Sequence, residues 1–144
     1  MTGLIHRLDD LYALTLERVA LLRQACAGAE PNPTQLSGAR LSLMAVSAKR
    51  SKFLHEEVYP ILVAASAVAF GAKVHELEAD LSRKRLITSQ HISYWSLPAI
   101  KADWPGYQRA VARITKGVED RVAMEKAFVL PALEAVIASQ ALKS

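Results

Sequence analysis

The stretch Asp120–Leu133, DRVAMEKAFVLPAL, decides how the chain is read. Its apolar residues recur every three or four positions, the spacing of one helix face. Glu125 sits on that line between Val122 and Val129, and Arg121 stands at its edge, four residues before Glu125. At that separation the two can pair on one helix. A weaker copy precedes it at Lys49–Leu62, KRSKFLHEEVYPIL. Both stretches end in Pro-x-Leu, and in both an Arg (Arg50, Arg121) stands ten residues before the Pro (Pro60, Pro131). The related endings point to two copies of one helical hairpin.

Outward from these two runs the chain offers no sustained period-two alternation and no Asn-Gly or Asp-Gly turn, so no strand is expected. Pro and Gly punctuate it at Gly28–Pro33, Phe70–Lys73 and Leu97–Gly106, where helices should end and begin. Four helices follow, over 3–27, 34–69, 73–96 and 105–141, in one domain covering residues 1–144. Short links between long helices predict an all-α, up-down-up-down antiparallel four-helix bundle. Pro60 removes an intrahelical hydrogen bond and is expected to kink the second helix.

Composition bounds the rest. With 144 residues, 51 % hydrophobic and 22 % charged, the chain has the make-up of a globular domain and not of a disordered one. No apolar run approaches the ~20 residues of a membrane span. The opening MTGLIHRLDDLY lacks a basic head followed by an apolar core, so no secretory signal is expected. A lone cysteine, Cys26, fits a reducing cytoplasm. The net charge of +4 comes from scattered Lys and Arg with few aromatics between them, which reads as a basic surface and not a nucleic-acid site.

Each helix carries a stripe that predicts its buried face. In the first it runs Leu4, Leu8, Leu11, Thr15, Val19, Leu22 and Cys26, which leaves His6 facing out. The second runs Leu36, Leu43, Val46, Arg50, Leu54, Glu57, Ile61 and Val68. The third runs Val74, Leu77, Leu81, then Lys84 or Arg85, Thr88, Ile92 and Trp95. Charges that interrupt the stripes fall near the helix midpoints, so Arg50, Glu57, Lys84, Arg85, Arg121 and Glu125 are expected to form one polar layer across the core. Arg50, Glu57, Arg121 and Glu125 can then neutralise one another. Lys84 and Arg85 remain as surplus positive charge, which predicts a mid-bundle pocket for a small anion.

Bundles often build metal sites at this height, and a di-iron carboxylate site uses Glu-x-x-His on two helices. No Glu-x-x-His occurs in the chain, and none of the four His falls on a stripe centre. Guanidinium and ammonium groups donate hydrogen bonds and cannot ligate, so the expected layer repels a cation. A bound metal would use a non-standard set such as Glu57, His75, His91 and Glu125.

The segment with Arg121, Glu125 and LPAL resembles the second metal-binding segment of the haemerythrin-like (HHE cation-binding) family. In that family a His is followed four residues later by a Glu and then by a Pro-containing turn. Arg121 stands at the His position and Glu125 at the Glu position; in the second helix Arg50 and Leu54 stand at the corresponding places. The stretch Trp95, Asp103-Trp104 and Tyr107 is also similar to bacterial members. The resemblance implies a haemerythrin-like bundle. Members with intact ligands hold non-haem di-iron and serve oxygen binding or iron and redox sensing.

The expectation for this chain is a metal-free, degenerate member without cofactor, binding an unknown protein or a small anionic ligand and acting by binding or regulation. An iron-binding sensor is the second reading. A His-phosphotransfer module using His55 or His91 is the third, against which Glu56 and Glu57 beside His55 would repel phosphate. No Ser/His/Asp or Cys/His constellation and no Gly-rich phosphate loop supports catalysis.

Overall fold

Apolar residues at three- and four-residue spacing become helices almost throughout. The computed structural model describes residues 2–143, with no strand among them. Helix α1 spans Thr2–Ala25, α2 Pro33–Phe53, α3 Tyr59–Ala65, α4 Ala67–Tyr94, α5 Leu97–Ala102 and α6 Trp104–Lys143. A π turn, Leu54–Val58, carries α2 into α3 without a break. Among the described residues no helix is long and apolar enough to cross a membrane.

Helix starts are set by short polar side chains. Asn32 caps α2 by accepting from Gln35 N–H, with Pro33 in the first turn. Ser96 caps α5 in the same way through Ala99 N–H. Asp103 accepts from Gly106 N–H at the start of α6. A Cβ on residue 106 would collide with that carboxylate, which explains the glycine. Each such cap satisfies one orphan N–H and stabilises its helix by about 1 kcal/mol.

Two expected boundaries are corrected. The break placed at Phe70–Lys73 lies inside α4, where Gly71 has an ordinary helical setting and a Cβ would meet only Ala67 Cβ, at 4.0 Å. The chain turns instead at Ser66, which is extended (φ −162°, ψ 101°) and whose hydroxyl accepts from Ala69 N–H. Val68, expected on the buried stripe, is therefore in the first turn of α4 and fully exposed. The stretch expected as a link between the third and fourth helices holds α5.

The π turn corrects a third expectation. Pro60 has no N–H to give to the carbonyl four residues back, and its ring crowds that carbonyl. The helix widens just before it, with Tyr59 N–H bonded to Leu54 O, and so takes up one extra residue. Every position beyond it is rotated by one place. Val58 and Leu62 are fully buried where Glu57 and Ile61 were expected.

Helix α1 lies along α2 and α6. Arg7 reaches Glu57 and Arg50 reaches Thr15, while Gln108 reaches Cys26 O, Arg23 reaches Thr115 and Glu119, and Lys126 lies over the Tyr12 ring, so α1 runs opposite in sense to both neighbours. Helix α3 packs on α4 and α6. The buried apolar residues form two clusters. One gathers Leu8, Tyr12, Leu54, Val58, Leu62 and Leu133, and the other gathers Val19, Leu22, Leu36, Ile100, Tyr107 and Val111. A fully buried aliphatic side chain stabilises the fold by about 1.5–3 kcal/mol, so these clusters carry most of the drive to fold.

Candidate functional site

Between the two apolar clusters lies a charged layer. Thr15, Arg50, Arg121 and Glu125 are all at most 3 % exposed. Glu125 Oε2 accepts from Arg121 Nε on the same face of α6. Glu125 Oε1 stands 3.1 Å from Arg50 Nε, a charge contact whose angle falls short of a hydrogen bond. Arg121 continues across to α4, donating to Asp80 Oδ2 at 3.0 Å and to Leu77 O at 3.0 Å. Arg50 donates to Thr15 Oγ1 at 3.2 Å, and Thr15 passes its own proton to Leu11 O. Two guanidiniums and two carboxylates thus alternate in one chain, Arg50–Glu125–Arg121–Asp80, which reaches from α2 through α6 to α4.

Tyr12 and Tyr59 approach Glu125 from α1 and α3, both buried, with the Tyr12 hydroxyl in reach of the Glu125 carboxylate and that of Tyr59 unpartnered among the described residues. Burial and the Glu125 charge push both phenols well above their ordinary range. Burial pushes the Asp80 carboxyl up, but Lys84 and Arg121 pull it further down, and it ends below the ordinary range.

The sequence-expected residues divide. Arg50, Arg121 and Glu125 meet as described. Glu57 does not join them, because the π turn points it outward to an exposed ion pair with Arg7 at 2.9 Å. The fourth charge is Asp80, which the stripes passed over and which Arg121 reaches. Lys84 is not surplus, since it pairs with Asp80 at 3.2 Å. Arg85 is exposed on α4. Of the alternative ligand set, Glu57 and His75 are exposed and His91 lies against Tyr107. Among the described residues no group of three or more His, Cys, Asp or Glu side chains is placed to hold a metal.

The di-iron centre that the resemblance implies does not fit these residues. Among the described residues Glu125 is the one buried carboxylate, and each of its oxygens faces a guanidinium. A cation there would meet two fixed positive charges at contact distance. Cys26 offers no nucleophile: burial raises its thiol to about 11, and Arg40 lowers it only in part. His55 is exposed and paired with Glu78.

The charged layer also forms the floor of a cleft that the stripes did not predict. Leu77 is the last buried residue of α4, and the expected stripe positions Leu81, Thr88 and Ile92 are not buried. The second half of α4 stands away from α2 and α6, leaving a cleft of about 980 Å3. Arg50 and Arg121 lie at one end, and Arg40, His91, Trp95 and Tyr107 at the other. Apolar side chains from three helices, including Leu43, Met44, Ile87, Val111, Ile114 and Val118, line the space between.

The cleft is lined by Arg40, Arg50, Lys84, Arg85, Arg113 and Arg121, and by no Asp or Glu. Arg40 donates to Trp95 O and lies over the Tyr107 ring at 5.9 Å. Burial lowers the basicity of His91, and Arg40 and Arg113 lower it further. Among the described residues neither Arg40 nor Arg113 has a carboxylate partner. A hydrophobic trough with concentrated positive charge is suited to holding an anion that also carries apolar surface. No family model matches the chain, and no curated protein or solved structure matches it either.

Proposed function

We propose that the helices form an up-down-up-down four-helix bundle of haemerythrin-like type in which an ionic network has taken the place of the metal centre. The protein then acts by binding or regulation and not by catalysis. One observation carries this reading: both oxygens of Glu125, the carboxylate at the family's ligand position, face guanidiniums, Arg121 on one side and Arg50 on the other. The opposite senses of α1 against α2 and α6 support the bundle topology. The cationic cleft supports a small anionic ligand, and the lone, buried Cys26 agrees with a cytoplasmic setting.

The test is metal analysis of protein purified without chelator, together with its visible spectrum. Less than one-tenth of an equivalent of iron and no oxo-bridged absorption is the expected result, with that threshold set at roughly the level of adventitious metal. Two tightly bound irons per chain would overturn the metal-free core and favour the iron or redox sensor.

A further inference from the structure

We infer that the cleft between α2, α4 and α6 binds one single-chain amphipathic carboxylate, its head between Arg40 and Arg113 and its chain along the apolar trough toward Arg50 and Arg121. The inference deepens the binding role proposed above and rests on that role, not on the metal-free core.

Charge fixes the head. Arg40 comes from α2 and Arg113 from α6, and both act on His91 from α4, so three basic side chains of three helices converge without a carboxylate among them. Of the other cations of the cleft, Arg50 and Arg121 are engaged with Glu125 and Lys84 with Asp80, while Arg85 stands exposed on α4. A guanidinium fork matches the planar carboxylate with two parallel hydrogen bonds. Tyr107, which lines the same end, has a buried hydroxyl with no partner.

The walls fix the rest. A small inorganic anion would satisfy the arginines and leave the trough of Met44, Ile87, Ile114 and Val118 wet. From Arg40 to Ser51 the cleft follows about 16 Å of helix. That is the reach of a medium-chain acyl group, and the volume falls in the range of small-molecule sites, about 300–1,000 Å3. A second copy of the chain is a poor occupant. A two-fold contact through this face would set one cationic lining, with no carboxylate in it, against another.

The experiment is calorimetric titration of the full chain with dodecanoate below its micelle concentration, set beside dodecanol, butyrate and sulfate. Dodecanoate should bind one per chain, with dodecanol (no charge) and butyrate (no chain) each weaker by at least about ten-fold. Arg113→Gln and Ile87→Glu alter exposed side chains and should leave the helical signal intact. Each should weaken dodecanoate by about ten-fold or more, the first by removing a head contact and the second by placing a carboxylate in the trough. No binding of dodecanoate would overturn the inference. So would equal affinity for dodecanol, equal affinity for butyrate or sulfate, binding to phosphatidylglycerol vesicles alone, or a ligand-independent dimer that Ile87→Glu dissolves. Iron content of the same sample separates the two readings. Stoichiometric iron with dodecanoate bound sinks only the metal-free core, and an iron-free chain that ignores dodecanoate sinks only this inference.

Discussion

Arg50 Nε stands 3.1 Å from Glu125 Oε1, and the two side chains are 4 % and 1 % exposed. They come from α2 and α6, so this contact ties together helices distant in the chain. Arg121 holds the other oxygen of Glu125, which makes one carboxylate the counterion of two buried guanidiniums. Glu125→Gln leaves Arg50 without a carboxylate and Arg121 with Asp80 alone, and is expected to cost about 3–5 kcal/mol in urea unfolding. Changing Arg121 and Glu125 together would still strand Arg50. The informative control is therefore the triple change of Arg50 and Arg121 to Met with Glu125 to Leu, expected to recover most of the loss. If Glu125→Gln costs less than about 1 kcal/mol, the network is solvated.

Alkali should unfold the protein through its buried phenols. Tyr12 and Tyr59 are raised above the ordinary value of 10.0, chiefly by burial and next by Glu125. Tyr107 is raised too, by burial first. A raised folded value means that the unfolded chain loses these protons first. The stability the phenols contribute is thus complete below pH 10 and declines as pH climbs toward their folded values. A spectrophotometric titration should find fewer than the four tyrosines ionising before the helical signal collapses.

Acid should act through Asp80. Its folded value lies below 3.8, because Lys84 and Arg121 outweigh the effect of burial. A depressed carboxylate contributes stability above its unfolded value, and this is lost as pH falls through the folded one. Asp80→Asn should lower stability at neutral pH and flatten the acid limb of the pH profile. An unchanged acid limb would show that Arg121 does not need Asp80.

Ligand binding and protonation should be coupled at His91. Burial, then Arg40 on α2 and Arg113 on α6, holds the imidazole below 6.5, with Tyr107 of α6 stacked on it at 6.1 Å. Without ligand the neutral ring stabilises the fold above 6.5, and that contribution is lost as pH falls toward the folded value. A carboxylate between the two guanidiniums offsets their repulsion and raises His91. Dodecanoate should then take up a fraction of a proton near pH 6.5, seen as binding heats that depend on the ionisation enthalpy of the buffer. Buffer-independent heats would place the head away from His91.

Much of this arrangement could be read from residue spacing. Arg121 and Glu125 are four apart on a regular helix, so their pairing needed only helix geometry. Arg50 was legible because the Arg-to-Pro spacing repeats. Glu57 was misplaced because a π turn shifts the stripe by one position, and apolar periodicity assumes a constant number of residues per turn. The helix start at Ser66 carried a signal, a capping serine, that was hidden behind the louder glycine at Gly71. Asp80 stood one turn from Lys84 and would have surfaced had carboxylates beside the stripe been weighed with those on it. The cleft had no signal of that kind. Leu81, Thr88 and Ile92 on α4, and Val111, Ile114 and Val118 on α6, have the spacing of a packed face, and periodicity describes a wall and a core in the same way.

The π turn at Leu54–Val58 has a consequence for how this chain can change length. A π turn is an α-helix holding one residue more than its length requires. Deleting one residue there, His55 for instance, would return the segment to ordinary pitch while leaving Arg50 on one side, and Leu62 on the other, facing the core. A deletion elsewhere in α2 would turn everything beyond it by about 100° and expose what is now buried. The segment is thus a tolerance built into a long helix, the one stretch between Pro33 and Ala65 where the reading of inside and outside survives the loss of a residue.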